Sequence, residues 1–205
     1  MIPKTFMIPN VDNPFLIFRD WYEEAKKQLD YEHAVSSALA TATKDGVPDV
    51  RMVLVKQWDE NGFIFYTNFS SKKGQQLDDN PKAALCFYWY KINKQVRIRG
   101  NIQKVEDLIA DQYFETRDRI SQIGAWASKQ SQVLNSRFEL EKNVVYYLTK
   151  FGVSKVPRPP FWGGYRLIPN EIEFWLKKPY RLHERVLFER DINNKTLWNK
   201  KFLYP

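Results

Sequence analysis

Cysteine, histidine and long apolar runs are scarce in this sequence of 205 residues. The single Cys86 excludes a disulfide within one chain and favours a reducing compartment, which we expect to be the cytoplasm. With one cysteine and two distant histidines, neither paired-cysteine spacing nor HExxH is present, so we predict no metal site. No apolar run approaches the roughly 20 residues that span a bilayer, and the N-terminus lacks a signal-peptide pattern.

Phosphate-binding glycine loops and nucleophile motifs are also missing. The sequence contains no GxGxxG, no P-loop and no GxSxG. Any catalysis is therefore expected to depend on a bound organic cofactor, for which the protein supplies cations and orientation. The net charge of +8 favours anionic partners, yet the basic residues are dispersed and form no long block. This dispersal favours phosphate pockets over a nucleic-acid or membrane surface.

Alternating apolar and polar residues are typical of β-strands, and they dominate the chain from residue 34 onwards. Turn signals separate these runs, and the strongest is Asn61-Gly62, which predicts a tight hairpin. We predict six to eight short antiparallel strands with two or three helices around them. This arrangement indicates a mainly β fold with α, a β-barrel decorated by peripheral helices.

Helical spacing of apolar residues occurs in three places. It predicts a helix over 14–29, a second from 106 to about 119, and a third over 133–151 that ends at Gly152. The inward-facing residues predicted for the third helix are Leu134, Phe138, Val145 and Leu148. The segment ISQIGAWASKQS (120–131) is interpreted as a loop anchored by a buried Trp126. We predict a flexible arm over 1–12 and a single domain over 13–205.

Cations occur within the predicted strands. In the strand over 49–57, Arg51 lies on one face and Lys56 on the other, and buried charges need anionic partners. The alternative is that both side chains reach solvent. The segment FSSKKG (69–74) is typical of an anion-binding turn. The candidate anion-binding residues, enough for two separate phosphates, are Arg51, Lys56, Lys72, Lys73, Arg117, Arg181 and Arg185.

Another polar cluster follows the strand predicted over 171–176. Lys178-Pro179 interrupts that strand, because proline has no N–H to donate to a neighbouring strand. Arg181 and His183 would share one face of an extended chain, and Arg185 would join them if the extension continued. A guanidinium beside an imidazole suits a planar anionic ligand, although an ordinary solvated turn is an equally good interpretation.

Tyr113, Arg117 and Ser121 recur at intervals of four residues, so a continuing helix would place them on one face. A phenol, a guanidinium and a hydroxyl on one face can form a phosphate clamp. A polar solvated face is the commoner use of such a trio, and the spacing leaves both interpretations open.

Nine segments, in their order and spacing, together resemble the pyridoxine/pyridoxamine 5′-phosphate oxidase family. They are RMVLVK (51–56), FYTN (65–68), SKK (71–73), QV (95–96), SQIGAW (121–126), SKQS (128–131), FWGG (161–164), IEFW (172–175) and RLHER (181–185). The resemblance implies an antiparallel, Greek-key-like split β-barrel that binds FMN at a homodimer interface. It also implies oxidation of pyridoxine 5′-phosphate or pyridoxamine 5′-phosphate to pyridoxal 5′-phosphate, with O2 as acceptor, H2O2 as product, and NH3 released from the amine.

The resemblance also implies roles for individual residues. FMN contacts are implied for Arg51, Met52, Val53, Leu54, Val55, Lys56, Tyr66, Thr67, Lys72, Lys73, Gln95, Gln130, Ser131, Trp175 and Arg185. Substrate contacts are implied for Lys56, Tyr113, Arg117, Ser121, Arg181, Leu182 and His183, of which Arg181 and His183 are the implied catalytic residues.

Three features depart from the family pattern. Lys72 stands where the family often has arginine, so we expect FMN binding that is retained but weaker. The last residues, KFLYP, replace an Arg-Leu-x-Pro ending, and residues 1–12 lack a basic lid segment. The alternative functions are a flavin reductase-like enzyme on the same barrel, a non-catalytic FMN or B6-phosphate binding protein, and, from charge alone, a nucleic-acid binder.

Overall fold

Eight β-strands and six α-helices occur in residues 7–205, the part of the chain that this computed structural model describes. The strands are β1 (Ser36–Ala42), β2 (Pro48–Asp59), β3 (Gly62–Asn68), β4 (Lys82–Trp89), β5 (Lys94–Lys104), β6 (Trp162–Leu176), β7 (Glu184–Arg190) and β8 (Trp198–Leu203). The helices are α1 (Pro14–Gln28), α2 (Tyr31–Val35), α3 (Lys72–Asp79), α4 (Asp107–Thr116), α5 (Arg119–Ala127) and α6 (Glu139–Phe151).

The strands form one antiparallel sheet that closes on itself. Their order is β3-β2-β1-β4-β5-β6-β7-β8, and an additional pairing of β3 with β6 closes the first six into a barrel. Strand β6 makes this closure possible because its 15 residues pair with β3 near its beginning and with β5 over most of its length. Strands β7 and β8 extend the sheet beyond the barrel. The predicted split barrel with peripheral helices is confirmed.

Helix α1 covers one end of the barrel, and its sequence explains both its start and its packing. The Asn13 side chain accepts a hydrogen bond from the Phe15 N–H, and Pro14 occupies the first turn. Phe18 is fully buried, with its ring centroid 4.9 Å from those of Trp58 and Phe63. Truncating such an aromatic side chain to alanine costs about 3–5 kcal/mol. The helix predicted over 14–29 is confirmed.

The helix predicted to continue past residue 116 is broken. Arg117 adopts an extended conformation, with ψ of 147°, and α5 begins afterwards at Arg119. The Asp118 side chain caps α5 by accepting from the Ser121 N–H at 2.8 Å. The loop predicted over 120–131 was therefore wrong, because this cap initiates a helix over 119–127. Trp126 is half-buried on that helix and is not the fully buried anchor that was predicted.

Helix α6 begins later than predicted and packs against α5 with a different face from the one predicted. It starts at Glu139, and the residues predicted to face inward are exposed, namely Leu134, Phe138, Val145 and Leu148. The residues packed against the second hydrophobic cluster are instead Val144, Tyr147 and Phe151. The rings of Tyr147 and Phe151 each lie 5.6 Å from Trp126, and this contact sets the rotation of the helix. The predicted end is confirmed, since Gly152 caps the helix with φ of 47°.

Residues 7–12 lie along the last two strands. The Ile8 N–H donates to Glu184 at 3.0 Å, and the Lys200 ammonium donates to Asn10 at 2.7 Å. Residues 1–6 of the predicted flexible arm lie outside the described residues, so the boundary at residue 12 stays a prediction. Across 7–205, every helix is too short or too polar to cross a membrane.

Candidate functional site

A cavity of about 410 Å³ lies where α4 and α5 meet the barrel. We call it the clamp cavity; its lining residues are Leu54, Lys56, Tyr66, Tyr113, Thr116, Arg117, Asp118, Ser121 and Trp162. It therefore brings together Lys56 of β2 and the trio of Tyr113, Arg117 and Ser121. The trio does not share one helix face, as the spacing predicted. Tyr113 belongs to the last turn of α4 and Ser121 to the first turn of α5, and the break at Arg117 turns both toward the same space.

Among the residues that line the clamp cavity, Arg117 has the environment that most clearly indicates a ligand site. Its guanidinium lies over the Trp162 ring, 4.8 Å from the centroid, and 5.6 Å from that of Phe114. Its Nη1 atom is buried and has no hydrogen-bond partner among residues 7–205. Burial lowers the pKa of Arg117 from its ordinary value, although a guanidinium remains charged in proteins. A buried donor without an acceptor is costly, so this geometry fits an anion in the cavity.

Lys56 contributes the second cation of the clamp cavity. Its ammonium lies 4.8 Å from the centroid of the Tyr31 ring. Burial lowers the pKa of Lys56, Glu32 opposes this shift, and the charge of Arg117 lowers the pKa further. Because the two cations repel each other across one cavity, an anion between them relieves both the desolvation and the repulsion.

The aromatic wall of the clamp cavity is a stack. Tyr66 and Tyr113 stack at 3.8 Å between ring centroids, and Tyr66 also stacks on Trp162 at 5.5 Å. Burial, followed by the neighbouring Tyr113, raises the pKa of Tyr66 to about 12, so its hydroxyl stays protonated at neutral pH. Gly164 makes room for this ring, because a Cβ there would lie 2.9 Å from Tyr66 Cε1.

A second cavity, of about 340 Å³, adjoins the first and shares four of its residues, Tyr66, Arg117, Ser121 and Trp162. It adds Thr67 and Gln130, which lie beside the buried ammonium of Lys73. Lys73 Nζ donates to Thr67 at 3.2 Å, to Ser71 at 3.3 Å and to Gln130 at 3.3 Å. Burial lowers the pKa of Lys73, and the nearby Arg51 adds to that shift. Its partners in these bonds are neutral oxygens, which leaves its charge available to an anion.

The lysines of segment 69–74 lie in a helix and not in the turn that was predicted. Ser71 caps α3 by accepting from the Gly74 N–H, and Lys72 and Lys73 form the first turn. Lys72 is exposed and pairs with Asp49 at 3.2 Å. The Arg51 guanidinium pairs with the same carboxylate at 2.8 Å and donates to Thr41 at 2.5 Å.

The remaining residues for which the resemblance implies flavin contacts lie on β2 and after α5, and their environments differ. Leu54 lines the clamp cavity, whereas Val53 and Val55 pack in or against the barrel core. Met52 is 62% exposed on the outer face of the sheet. Ser131, next to Gln130, has a positive φ of 70° and is exposed.

A second group of predicted residues lies on the outer face of β5, β6 and β7 and in the turn between β6 and β7. Gln95 pairs with Trp175, which pairs with Arg185, so these three form one row across the sheet. The His183 ring lies 4.6 Å from that of Trp175, and its Nδ1 accepts from the Lys178 N–H at 3.1 Å. This bond leaves the proton of the neutral imidazole on Nε2.

The shared extended face predicted for Arg181 and His183 was wrong. Pro179–Arg181 forms a 3-10 turn, and Tyr180 and Arg181 have positive φ values of 58° and 62°. Arg181 and Leu182 are exposed. The proline initiates the turn that the sequence indicated, and the positive φ values break the extended conformation that a shared face requires.

Neither cavity is lined by any residue of this second group, which comprises Gln95, Trp175, Arg181, Leu182, His183 and Arg185. The described part of one protomer therefore holds two separate sets of predicted site residues. Two residues that sequence reasoning left without a role complete the cavities: Trp162 supports Arg117, and Asp118 caps the helix that carries Ser121. The pattern Asp-x-x-Ser ahead of helix-forming residues could have indicated that cap.

Comparison with known proteins identifies the family. The profile described as pyridoxamine 5′-phosphate oxidase matches residues 21–151, and that of the pyridoxine 5′-phosphate oxidase C-terminal dimerisation region matches 162–205. A pyridoxine/pyridoxamine 5′-phosphate oxidase of Brucella canis is 52% identical over 193 residues, covering 94% of each chain.

Solved structures agree with this assignment. PhzG from Burkholderia lata, determined with tetrahydrophenazine-1-carboxylic acid, superimposes with a TM-score of 0.88 at 32% identity, covering 100% of this chain and 98% of its own. A pyridoxamine 5′-phosphate oxidase-related, FMN-binding protein of Nostoc punctiforme shares the fold, with a TM-score of 0.73 at 16% identity, covering 94% and 98%. The chain therefore belongs to the pyridoxamine 5′-phosphate oxidase family of oxidoreductases.

Proposed function

We propose that this protein oxidises pyridoxine 5′-phosphate or pyridoxamine 5′-phosphate to pyridoxal 5′-phosphate, with FMN as cofactor and O2 as acceptor. H2O2 is then the second product, and NH3 is released from the amine. The observation that carries the proposal is the buried Nη1 of Arg117, which has no hydrogen-bond partner within residues 7–205 and lies in a cavity that also contains Lys56. A phosphate monoester carries about −1.5 to −2 charges at neutral pH and supplies the missing acceptors.

In this proposal, the clamp cavity holds the substrate phosphate. Arg117 and Lys56 supply the charge, while the hydroxyls of Tyr113 and Ser121 donate to phosphate oxygens. The Trp162 ring beneath the guanidinium restricts it to the orientation that faces the cavity. Because the phosphate is held away from the reacting carbon, these contacts orient the substrate without taking part in the bond changes.

The second cavity and the cations beside it fit the phosphate of FMN. Lys73 bonds to Thr67 and Gln130, which both line this cavity, and in the proposed site Arg51, Lys72 and Ser131 supply further contacts to the phosphate. When bound, FMN supplies the hydride acceptor that the side chains of this chain lack. The two cavities share Tyr66 and Trp162, so substrate and cofactor would lie side by side.

A homodimer would join the two sets of site residues. The C-terminal family profile is named for dimerisation and matches 162–205, the segment that contains Trp175, Arg181, His183 and Arg185. We propose that a second copy places its row of Gln95, Trp175 and Arg185, together with the turn that carries Arg181 and His183, over the cavities of the first. Arg181 and His183 would then orient the substrate ring at its reactive carbon. A cytoplasmic location accords with the reduced Cys86.

The test is an absorbance measurement on protein reconstituted with FMN under anaerobic conditions. We expect pyridoxamine 5′-phosphate to bleach the flavin and air to restore its colour. A protein that binds FMN but is bleached only by a nicotinamide would favour the flavin reductase-like alternative. A protein that binds both ligands without bleaching would be a binding protein, and one that takes up no FMN would contradict the cofactor assignment.

The substrate-phosphate assignment has its own test. Arg117→Gln removes a charge-assisted contact worth about 1.5–3 kcal/mol, so the KM for pyridoxamine 5′-phosphate should rise roughly 10- to 100-fold. Unphosphorylated pyridoxamine is the matched control, because its weaker turnover should be unaffected by the substitution. An equal effect on both compounds would place Arg117 outside the phosphate site.

A further inference from the structure

One buried carboxylate lies among the outer-face residues, and no role has been assigned to it so far. Glu173 on β6 lies between Arg97 of β5 and Arg185 of β7, with its side chain only 11% exposed. Its Oε2 accepts from Arg97 Nη1 at 3.1 Å. Its Oε1 accepts from Arg185 Nε at 2.9 Å and pairs with Arg185 Nη2 at 2.8 Å. Both carboxylate oxygens are therefore used, and Arg185 is held through two of its nitrogens.

The sheet register shows that Glu173 redirects Arg185. The direct cross-strand neighbour of Arg185 is Trp175, and that of Glu173 is Leu187. The guanidinium reaches diagonally to a carboxylate on the same face of the sheet, and its Nη1 also donates to the Tyr204 carbonyl at 2.9 Å. Such a long side chain has many rotamers in solution, so these bonds select one of them.

A count of donors shows what this arrangement leaves free. A guanidinium has five N–H groups, and the hydrogen bonds to Glu173 and Tyr204 use one on Nε and one on Nη1, while Nη2 forms the ion pair with Glu173 Oε1 at 2.8 Å. One N–H on Nη1 and one on Nη2 remain for a ligand. With Arg97, the three side chains carry a net charge of +1, so the cluster stays attractive to an electron-rich ligand.

We propose that Glu173 is a positioning residue that fixes the Arg185 guanidinium for contact with the flavin. The inference rests on the proposed function, in which Arg185 contacts FMN. Glu171 offers a matched comparison, because it lies two residues earlier on the same face of β6. Its side chain is 34% exposed and, among the described residues, pairs with one cation, Arg99, at 3.0 Å.

The experiment measures the FMN dissociation constant of the apoprotein by quenching of flavin fluorescence. Glu173→Gln should raise the dissociation constant about tenfold, as expected when a charge-assisted contact is misplaced. Glu171→Gln should stay within about twofold of the wild type. Arg185→Gln should weaken binding to the same extent as Glu173→Gln, and the double variant should bind no more weakly than Arg185→Gln alone.

The non-additive loss of FMN affinity in the double variant separates positioning from a purely structural role. A purely structural role would lower the melting temperature of the apoprotein, and the effect of Glu173→Gln would not depend on Arg185. If Glu173→Gln alone fails to fold because Arg97 and Arg185 lose their carboxylate partner, the charge-balanced double variant still tests the proposal. Its FMN dissociation constant is then compared with that of Arg185→Gln. Wild-type affinity in Glu173→Gln, or additive losses in the double variant, would overturn the positioning role only. Failure of the wild type to bind FMN would overturn the proposed function as well.

Discussion

At the scale of single residues, two cations of the site, Lys73 and Arg117, differ from the structural cation Arg158 by their partners. Arg158 pairs with Asp107 at 2.6 Å and with Asp111 at 2.5 Å, which joins helix α4 to the segment before β6. Lys73 is bonded to hydroxyl and amide oxygens, and Arg117 lies on aromatic rings with one nitrogen that has no partner in the described part of the chain. A buried charge without a carboxylate destabilises the ligand-free protein and favours binding of an anion.

Lys73 gives a prediction about pH. Burial lowers its pKa in the folded protein below the unfolded value of about 10.4. The penalty for burying the charge is therefore complete below the folded pKa and is relieved as pH rises toward the unfolded value. We expect the Lys73→Met apoprotein to melt at a higher temperature than the wild type at pH 7, with the difference shrinking by pH 10.

Saturating FMN provides the control for this prediction, because ligand binding should stabilise the wild type far more than Lys73→Met and reverse their order. A variant apoprotein that is less stable than the wild type at neutral pH would show that the bonds of Lys73 to Thr67, Ser71 and Gln130 outweigh its desolvation.

At the scale of elements, the junction of α4 and α5 creates the clamp cavity. One extended residue, Arg117, separates two short helices whose ends converge. A continuous helix would hold Tyr113 and Ser121 about 12 Å apart along its axis, given a rise of about 1.5 Å per residue. The break instead lets both line one cavity with Lys56, which lies on a strand.

The corrected rotation of α6 gives a prediction about stability. Val144 packs against the second hydrophobic cluster, whereas Val145 is 62% exposed. Val144→Ser should lower the free energy of unfolding by about 1–2 kcal/mol, since it removes apolar contact and buries a hydroxyl. Val145→Ser, with the same change in helix propensity, should change it by less than about 0.5 kcal/mol. Urea unfolding measures both, and a comparable loss at Val145 would mean that this face is covered in solution.

At the scale of the whole molecule, the outer face of the barrel has the character of an interface. Strands β2, β1 and β4 present a row in which Met52 pairs with Ala38 and Ala38 with Cys86. The neighbouring Val50 is 65% exposed, and Tyr88 is 54% exposed. A contiguous apolar face of this kind on a sheet is typical of a surface that another protein covers.

The proposed dimer predicts the effect of a charge at the centre of this face. Met52→Glu should raise the dissociation constant of the dimer roughly thirtyfold or more, because a carboxylate would be buried without a partner. A thirtyfold change corresponds to about 2 kcal/mol. Analytical ultracentrifugation measures the change, and FMN affinity should fall with it. Val153→Glu is the control, since Val153 is fully exposed just after α6 and lies outside residues 162–205. A Met52→Glu protein that remains dimeric would place the interface elsewhere.

The sequence by itself determined the features that depend on local pattern. Alternation and turn signals predicted the antiparallel strands, apolar spacing predicted the helix that begins at residue 14, and Gly152 predicted the end of α6. Nine short motifs in order predicted the family. Local chemistry decides these features, because backbone geometry and apolar periodicity act over a few residues.

Only the tertiary structure decided the features that depend on distant partners. The face that α6 buries follows from Trp126, which the helix meets in space, and the direction of Arg185 follows from Glu173 on the neighbouring strand. The spacing of Tyr113, Arg117 and Ser121 suggested one helix. In the structure, the break between α4 and α5 and the contact of Arg117 with Trp162 bring them to one cavity. Side-chain directions of this kind are set by packing between segments far apart in the chain, and a one-dimensional pattern does not record that packing.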